Sequence, residues 1–391
     1  MIRTLQFRVN PTSRQYDRLF EMRRDFWDLY NAALEERKIA WQNNRVSVSL
    51  KMQSAQLPEI REDEQYARWS ATSEQQVLRR LNNAFSAFFR RVKAGQTPGY
   101  PRFKSLRHFD TLPLRHGDGA KLTIDGSTVR LYVQGVGTMK VYAHRPITGQ
   151  LRNAMSLTRI GRYWYLNITV EVSETSSRIR PATGAVVGID RGVISTAATS
   201  DGELITNPQH YRRSEKRLAD KQQALSRCKR GSKRRRAVAA EVAAIHRKIR
   251  NQRRDFLHKL SHRLTADYDF IALEGLNITG MTKSAAGTLQ APGTNVAQKS
   301  GLNKSILDAG WGILHDMIRY KAEEAGAEVM TVDPKYTSQQ CAKCKDTAPE
   351  NRSGERFSCR ACQHEDHADI NAAINILNRG LDASLRDAQA A

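Results

Sequence analysis

The chain has 391 residues, 40% of them hydrophobic, which is length enough for about two or three domains of roughly 150 residues each. Its 63 Lys and Arg against 40 Asp and Glu leave a net charge of +23 and a pI near 10.1, so a polyanion, either nucleic acid or an anionic membrane surface, is the expected partner. A soluble intracellular protein is expected: no run approaches the ~18 apolar residues of a spanning helix, Asp17, Glu21 and Asp25 stand where a signal core would lie, and five cysteines make no disulfide scaffold at this length.

Ile2–Val9 reads as a short strand, and Asn10-Pro11-Thr12-Ser13 supplies capping residues for a helix reaching about Gln42. Tyr16, Leu19, Phe20, Phe26, Leu29 and Leu34 fit one face of it. A second helix is predicted over Ser73–Lys93, with Val77, Leu78, Leu81, Phe85, Phe88 and Phe89 on one side and Arg79, Arg80, Arg90 and Arg91 on the other. That spacing makes the phenylalanines core residues rather than base-stacking groups. Gly95–Gly99 ends the helix, and Arg102 and Lys104 in the Pro-bearing loop behind it are candidates for phosphate contacts. Between 110 and 172, alternating stretches at Lys121–Ile124, Thr128–Val133, Met139–Ala143 and Tyr163–Val172 suggest a small antiparallel barrel or sheet. The polar Ser173–Thr183 reads as a connector.

Beyond it, Ala185–Asp190 is a buried-strand pattern ending in a carboxylate, with Ile194–Thr199 as a hairpin partner. Residues 211–260 hold eighteen Lys and Arg against four acids and read as two long basic helices broken near Gly231. With so few acids to balance them, Lys233, Arg234, Arg235, Arg236, Arg247, Arg250, Arg253 and Arg254 are candidates for phosphate contacts. His258 and His262 lie one turn apart there without an acid motif and read as helix-face residues. Phe270–Glu274 is a second buried strand ending in an acid. Thr279–Leu302 reads as a mobile loop, Leu307–Ala325 as one amphipathic helix with Trp311 in the core, Ala327–Val332 as a third strand and 367–379 as a last helix.

Cys341, Cys344, Cys359 and Cys362 are spaced C-x2-C-x14-C-x2-C. Two knuckles of this kind supply the four thiolates that a structural zinc prefers; Cys228 stands apart, and with four sulfurs available His364 and His367 read as non-ligands. Asp190 and Glu274 end apolar strands, and Asp369 opens a helix. One such acid is weak by itself, since a helix cap or a loop carboxylate fits the same residue. Three that meet in a sheet crevice of a basic protein would need divalent cations, and two magnesium ions about 4 Å apart would serve phosphodiester hydrolysis.

Gly188-Ile-Asp-Arg-Gly192, Leu273-Glu-Gly-Leu276, the four cysteines and His367-Ala-Asp-Ile-Asn-Ala-Ala373 occur in the order seen in TnpB, the RNA-guided DNA endonucleases of insertion sequences, which look like ancestors of type V CRISPR effectors. The helix Leu78–Phe89, Gly99–Lys104, Asp255–Lys259 and Asp308–Gly312 also resemble that family. The resemblance implies an α+β, multidomain chain: a RuvC-like, RNase H-like nuclease domain over 181–391, with a basic helical segment at 209–262 and an inserted zinc ribbon at 336–365. It implies a wedge β-barrel from 1–10 and 108–180, interrupted by a helical recognition lobe at 11–107. Asp190, Glu274 and Asp369 would be the catalytic, magnesium-binding acids, and the ribbon a target-binding insert.

Gln75 falls where the family places a side chain that reads the duplex motif beside the target. The implied partners are a guide RNA, target double-stranded DNA and the RNA–DNA heteroduplex, with no membrane, in a monomeric ribonucleoprotein of the prokaryotic cytoplasm associated with the nucleoid. A nuclease-inactive, guide-dependent repressor and a compact type V effector are the alternatives. The first should lack one of the three acids; the second shares the chemistry and differs in the source of its guide.

Overall fold

Thr12 starts the first helix as the residue pattern dictates: its hydroxyl accepts from the Gln15 N–H at 3.4 Å, and the Gln15 side chain accepts from the Thr12 N–H at 3.0 Å. The computed structural model describes residues 2–172, 182–288 and 290–390 and divides into units Met1–Glu174 and Thr175–Ala391. Most of the expected connector, residues 173–181, lies outside the described residues.

In the first unit, β1 (Ile2–Asn10) precedes α1 (Ser13–Asn44), three short helices α2 (Leu50–Ala55), α3 (Leu57–Ile60) and α4 (Glu64–Ala67), and α5 (Ala71–Lys93). Then come β2 (Thr111–His116), β3 (Gly119–Asp125), β4 (Thr128–Val133), β5 (Gly137–Tyr142), β6 (Gln150–Ile160) and β7 (Tyr163–Glu171). The strands close in the order β1-β5-β4-β3-β2-β6-β7. A seven-stranded closed barrel therefore stands where the alternation left barrel or sheet open. Pairing is antiparallel except for two rungs of β2 and β3, Arg115 with Gly119 and His116 with Ala120, at a turn closed by the Asp118 N–H on the Arg115 carbonyl at 3.3 Å. Alternate residues such as Phe7, Leu131 and Leu166 fill the interior and share one core with Phe26 of α1 and Leu78 of α5. Burial on α5 stops at Phe85, so the expectation that Phe89 is a core residue is corrected: it lies past the end of that packing and is exposed.

The second unit contains β8 (Val186–Asp190), β9 (Ser195–Thr199), β10 (Leu204–Thr206), α6 (His210–Ser226), α7 (Lys233–Asp267) and β11 (Phe270–Glu274). It continues with α8 (Ile278–Met281), α9 (Val296–Ala309), α10 (Trp311–Ala325) and β12 (Glu328–Val332). The small strands β13 (Arg352–Ser353), β14 (Arg356–Ser358) and β15 (Glu365–His367) precede α11 (Ala368–Ala390). The larger sheet has the order β10-β9-β8-β11-β12, with β8, β11 and β12 parallel. Among the described residues, no helix is long and apolar enough to cross a membrane.

Two expectations are corrected. The stretch predicted as a mobile loop contains the start of α9, and the single helix predicted from Leu307 is two helices. Gly310 divides them: its φ is +73°, outside the helical region, and a Cβ there would stand 2.9 Å from Leu257 Cδ1 of α7.

The period of two along the central strands decides what faces what. Val187 and Ile189 of β8, with Ile271 and Leu273 of β11, pack against Leu257, Leu260, Leu314 and Ile318 of α7 and α10. On the other face Phe270 and Ala272 pack with Ile376 and Leu377 of α11. Gly188 and Asp190 belong to that second face, as does Glu274. The helix lies close because Gly188 has no side chain: a Cβ there would stand 2.1 Å from the Ala373 carbonyl oxygen and 2.6 Å from the Leu377 nitrogen. Gly188→Ala should therefore push α11 off β8 and destabilise the second unit by about 3 kcal/mol, read as a lower urea midpoint for the transition that reports on that unit.

Candidate functional site

Asp190 and Glu274 end neighbouring parallel strands. Ile189 pairs with Leu273 in the register, so the two acids occupy the next rung, on strands about 4.8 Å apart. Both belong to the face covered by α11, whose first turn carries Asp369. An Asp369 carboxylate oxygen lies 3.7 Å from the place a Cβ on Gly192 would take, just past the end of β8. The structure thus brings the three acids together at the carboxyl ends of parallel strands, where α/β sheets leave a crevice.

Burial pushes the Asp190 carboxyl up to about 7, and repulsion from Glu274 and Asp369 adds to it, against the opposing pull of Arg352. Glu274 is also raised by burial, offset by the hydroxyl of Thr337, which donates to its Oε1 at 2.8 Å, by Arg191 and by a hydrogen bond from Asp190. The donor set is hard oxygen throughout, and its charge is incompletely compensated by protein. Both properties fit divalent cations such as magnesium.

Three partners of these acids are not among the candidate site residues, although Arg191 follows Asp190 within Gly188–Gly192. Buried Arg191 donates to the Trp311 carbonyl at 3.2 Å and to the Glu274 carbonyl, and Trp311 Nε1 donates to the Gly192 carbonyl at 2.8 Å. These bonds tie the exits of β8 and β11 to the start of α10. Thr337 orients Glu274, as above. Arg352, from the cysteine-bearing segment, pairs with Asp369 at 2.8 Å. Arg356 and Arg360 are equally placed by composition, but Arg356 instead pairs with Glu365 on the neighbouring strand. Arg352 and Asp369 line an open cleft of about 550 Å³ together with Gly192, Ile194, Gln339 and Glu355.

Each C-x2-C folds as a knuckle with the same hydrogen bonds. The Lys345 N–H reaches the Cys341 carbonyl at 3.1 Å, and the Gln363 N–H reaches the Cys359 carbonyl at 2.9 Å. Lys345 and Gln363 both adopt positive φ, +66° and +57°, to turn the chain. The four sulfurs lie within 4.8 Å of one another, with Cys341–Cys362 at 3.6 Å and Cys344–Cys359 at 3.5 Å. Those separations are far beyond a disulfide bond of about 2.05 Å and close to the edge of about 3.8 Å of a tetrahedron with zinc–sulfur bonds of about 2.3 Å. The cluster could hold a structural zinc. His367 turns away, its Nδ1 accepting from the Asp369 N–H at 3.2 Å, and His364 faces Asp366 at 3.9 Å.

The basic candidates divide. Gln75 and Arg79 are exposed on α5, Arg102 is exposed in the loop after it, and Lys104 is half-buried. On α7, Lys233, Arg234, Arg236, Arg250 and Arg254 are exposed and Arg247 is half-buried. Two are committed within the fold. Arg253 pairs with buried Asp308 at 2.8 Å, and Arg235 caps the preceding helix by donating to the Leu225 carbonyl at 2.6 Å. Arg254, though exposed, also donates its Nε to His258 Nε2 at 3.3 Å; a charge count cannot see which donors the fold has already engaged.

Residues 167–285 match the OrfB_IS605 transposase family and residues 311–376 the Cas12f1-like TNB domain. The chain is 38% identical over 307 residues to InsQ of Escherichia coli (strain K12), named as an RNA-guided DNA endonuclease, covering 78% of this chain and 73% of that one. A Streptomyces pristinaespiralis protein named in the same way is 32% identical over 399 residues, 98% of this chain and 90% of that one. Similarity extends at 27% identity, over 78% of this chain and 76% of that one, to the CRISPR-associated endodeoxyribonuclease Cas12f1 of Sulfoacidibacillus thermotolerans. The fold resembles that of Cas12f1 in its complex with single-guide RNA and target DNA, with a TM-score of 0.56 at 13% identity over 97% of this chain and 99% of that one. With its two family matches in order and a curated relative at 38% identity, this chain belongs to the TnpB family.

Proposed function

We propose that this protein is an RNA-guided DNA endonuclease whose cleavage centre is a RuvC-type, RNase H-like arrangement of Asp190, Glu274 and Asp369. The observation that supports it most is electrostatic: burial and two neighbouring carboxylates push Asp190 up to about 7, so the site is costly without cations. When bound there, two magnesium ions supply Lewis acidity for displacement at phosphorus. Asp190 and Glu274, from one rung of the sheet, and Asp369, from the first turn of α11, are the residues that would hold them. Thr337 fixes one oxygen of Glu274 and leaves the other toward Asp190. Arg352 is a positioning residue: its side chain is 33% exposed at the cleft, so it can neutralise Asp369 or meet a phosphate oxygen. Water attacks phosphorus as the bond to the 3′ oxygen breaks, leaving a 5′ phosphate and a 3′ hydroxyl.

On this reading the barrel with its strands at 1–10 and 108–180 is the wedge, residues 11–107 are the recognition lobe, and 181–391 the nuclease with its zinc ribbon at 336–365. Gln75, exposed on α5 with Arg79 one turn further, reads the motif beside the target. Lys233, Arg234, Arg236, Arg250 and Arg254 of the basic segment at 209–262 take phosphates of the guide or heteroduplex. The particle is a monomeric ribonucleoprotein. All three acids are present, which disfavours a nuclease-inactive repressor; a compact type V effector would use the same residues with a guide of different origin.

Asp190→Ala in the chain purified with its RNA should lower DNA cleavage by at least about 1,000-fold while guided DNA binding stays within about twofold. Chelation should abolish cleavage by the unaltered protein and magnesium should restore it, both read on a labelled duplex. Cutting that survives in Asp190→Ala would move the active site elsewhere.

The pH dependence has a definite sign. Asp190 holds its proton more tightly folded, near 7, than at its ordinary value of 3.8, so its stabilising contribution is complete below about 3.8 and lost as pH rises to 7. Metal-free Asp190→Asn, which cannot ionise, should therefore gain stability over the unaltered chain across that window, on the order of 3 kcal/mol by pH 8 in chelator-treated unfolding. Replacing Lys233, Arg234 and Arg236 together with Ala should weaken RNA binding for all sequences and flatten the slope of log affinity against log salt by about 2 to 3.

A further inference from the structure

The end of α5 and the loop behind it carry a group of aromatic rings left partly open to solvent. Tyr100 packs edge-on against Phe85 and Phe88, with ring centroids 5.6 and 5.3 Å apart, and Phe88 meets Phe89 at 5.2 Å. Phe85 is buried, yet Phe89 is 56% and Tyr100 44% exposed. Phe103, 50% exposed, follows on the same loop with the Lys38 ammonium 4.8 Å from its ring centre. The loop is anchored rather than collapsed. Asn31 of α1 holds both the N–H and the carbonyl of Lys104 at 2.9 Å, and Trp27 donates to that same carbonyl. Among the described residues, nothing buries these rings further than those exposures.

Charge says what covers them. Residues 75–109 contain eight Lys and Arg and no Asp or Glu. Of these cations Arg90, Arg91, Lys93 and Arg102 are exposed beside the rings in sequence. A second copy of the chain docked through this patch about a twofold axis would face these cations with themselves. A polyanion with flat apolar faces suits both features at once, because bases stack on rings while phosphates meet the cations.

We propose that Phe89 and Tyr100 form a platform on which unpaired bases of the guide RNA stack, their phosphates held by Arg90, Arg91, Lys93 and Arg102. RNA rather than target DNA is the occupant because, on the RNA-guided reading, the guide must be bound before a target can be selected. The inference rests on the RNA-guided reading above and adds a contact of a different kind from the phosphate contacts of α7.

The test uses the full chain purified with its RNA. Ultraviolet cross-linking followed by mass spectrometry should find RNA adducts on the peptides containing Phe89 and Tyr100. After the RNA is stripped and titrated back, Phe89→Ala and Tyr100→Ala should each weaken binding about tenfold with an unchanged salt slope, and Phe89→Trp should retain affinity. Arg90→Gln with Arg91→Gln and Lys93→Gln should instead flatten that slope by about 2. Because both rings are about half exposed, melting temperatures should fall by no more than about 4 °C, and each variant should remain folded at the temperature of the binding assay. Binding within twofold for a chain carrying both Phe89→Ala and Tyr100→Ala, adducts on DNA alone, or a dimer that Phe89→Ala converts to monomer would overturn the platform and leave the guided reading standing. An unaltered chain that neither carries nor binds RNA would overturn both.

Discussion

Three negative groups are held in one crevice by backbone geometry that does not relax when they repel. Parallel pairing of β8 with β11 sets Asp190 beside Glu274, and strand alternation turns both toward α11. The helix can bring Asp369 into range because Gly188 admits its backbone to within contact of the strand. The apolar groups on both faces of these strands supply the free energy that keeps the acids together. Stability and chemistry are thus opposed at this point: the core stabilises an arrangement that the carboxylates alone would break.

Positive charge is deployed at several depths. Arg191 is buried at the crevice and spends its donors on the Trp311 and Glu274 carbonyls, while Arg352 reaches Asp369 from the cysteine-bearing segment. Arg253 and Arg235 tie helices to their neighbours. The exposed remainder, on α7 and along 75–109, is where the +23 becomes available to a polyanion. The cysteine cluster contributes to the same end. Four sulfurs placed to share one ion would clamp the segment that carries Arg352, which reaches Asp369.

The rings at the end of α5 show how one periodic pattern serves two environments. Val77, Leu78, Leu81 and Phe85 meet the core of the first unit, and the same face continues past it to Phe89 and Val92. A helix longer than its partner surface necessarily presents apolar groups to solvent, and cations around them narrow the choice of what can settle there.

Much of this was legible in the residues themselves. The strand ends at Asp190 and Glu274, the two knuckles, the break near Gly231 and the capped start of α1 all follow from local rules of period, turn and ligand spacing, which need only a few neighbours. Other features depended on contacts between distant segments. Alternation could not say whether the strands of the first unit close, since closure depends on β1 pairing with β7, whose residues are up to 169 positions away. The split at Gly310 depends on the approach of α7. Which arginine of the cysteine-bearing segment faces Asp369, which basic residues are already paired, and where α5 outruns its core were likewise settled only by tertiary structure. Each depends on which acceptor or surface the folded chain brings near, and composition and spacing carry no information about that.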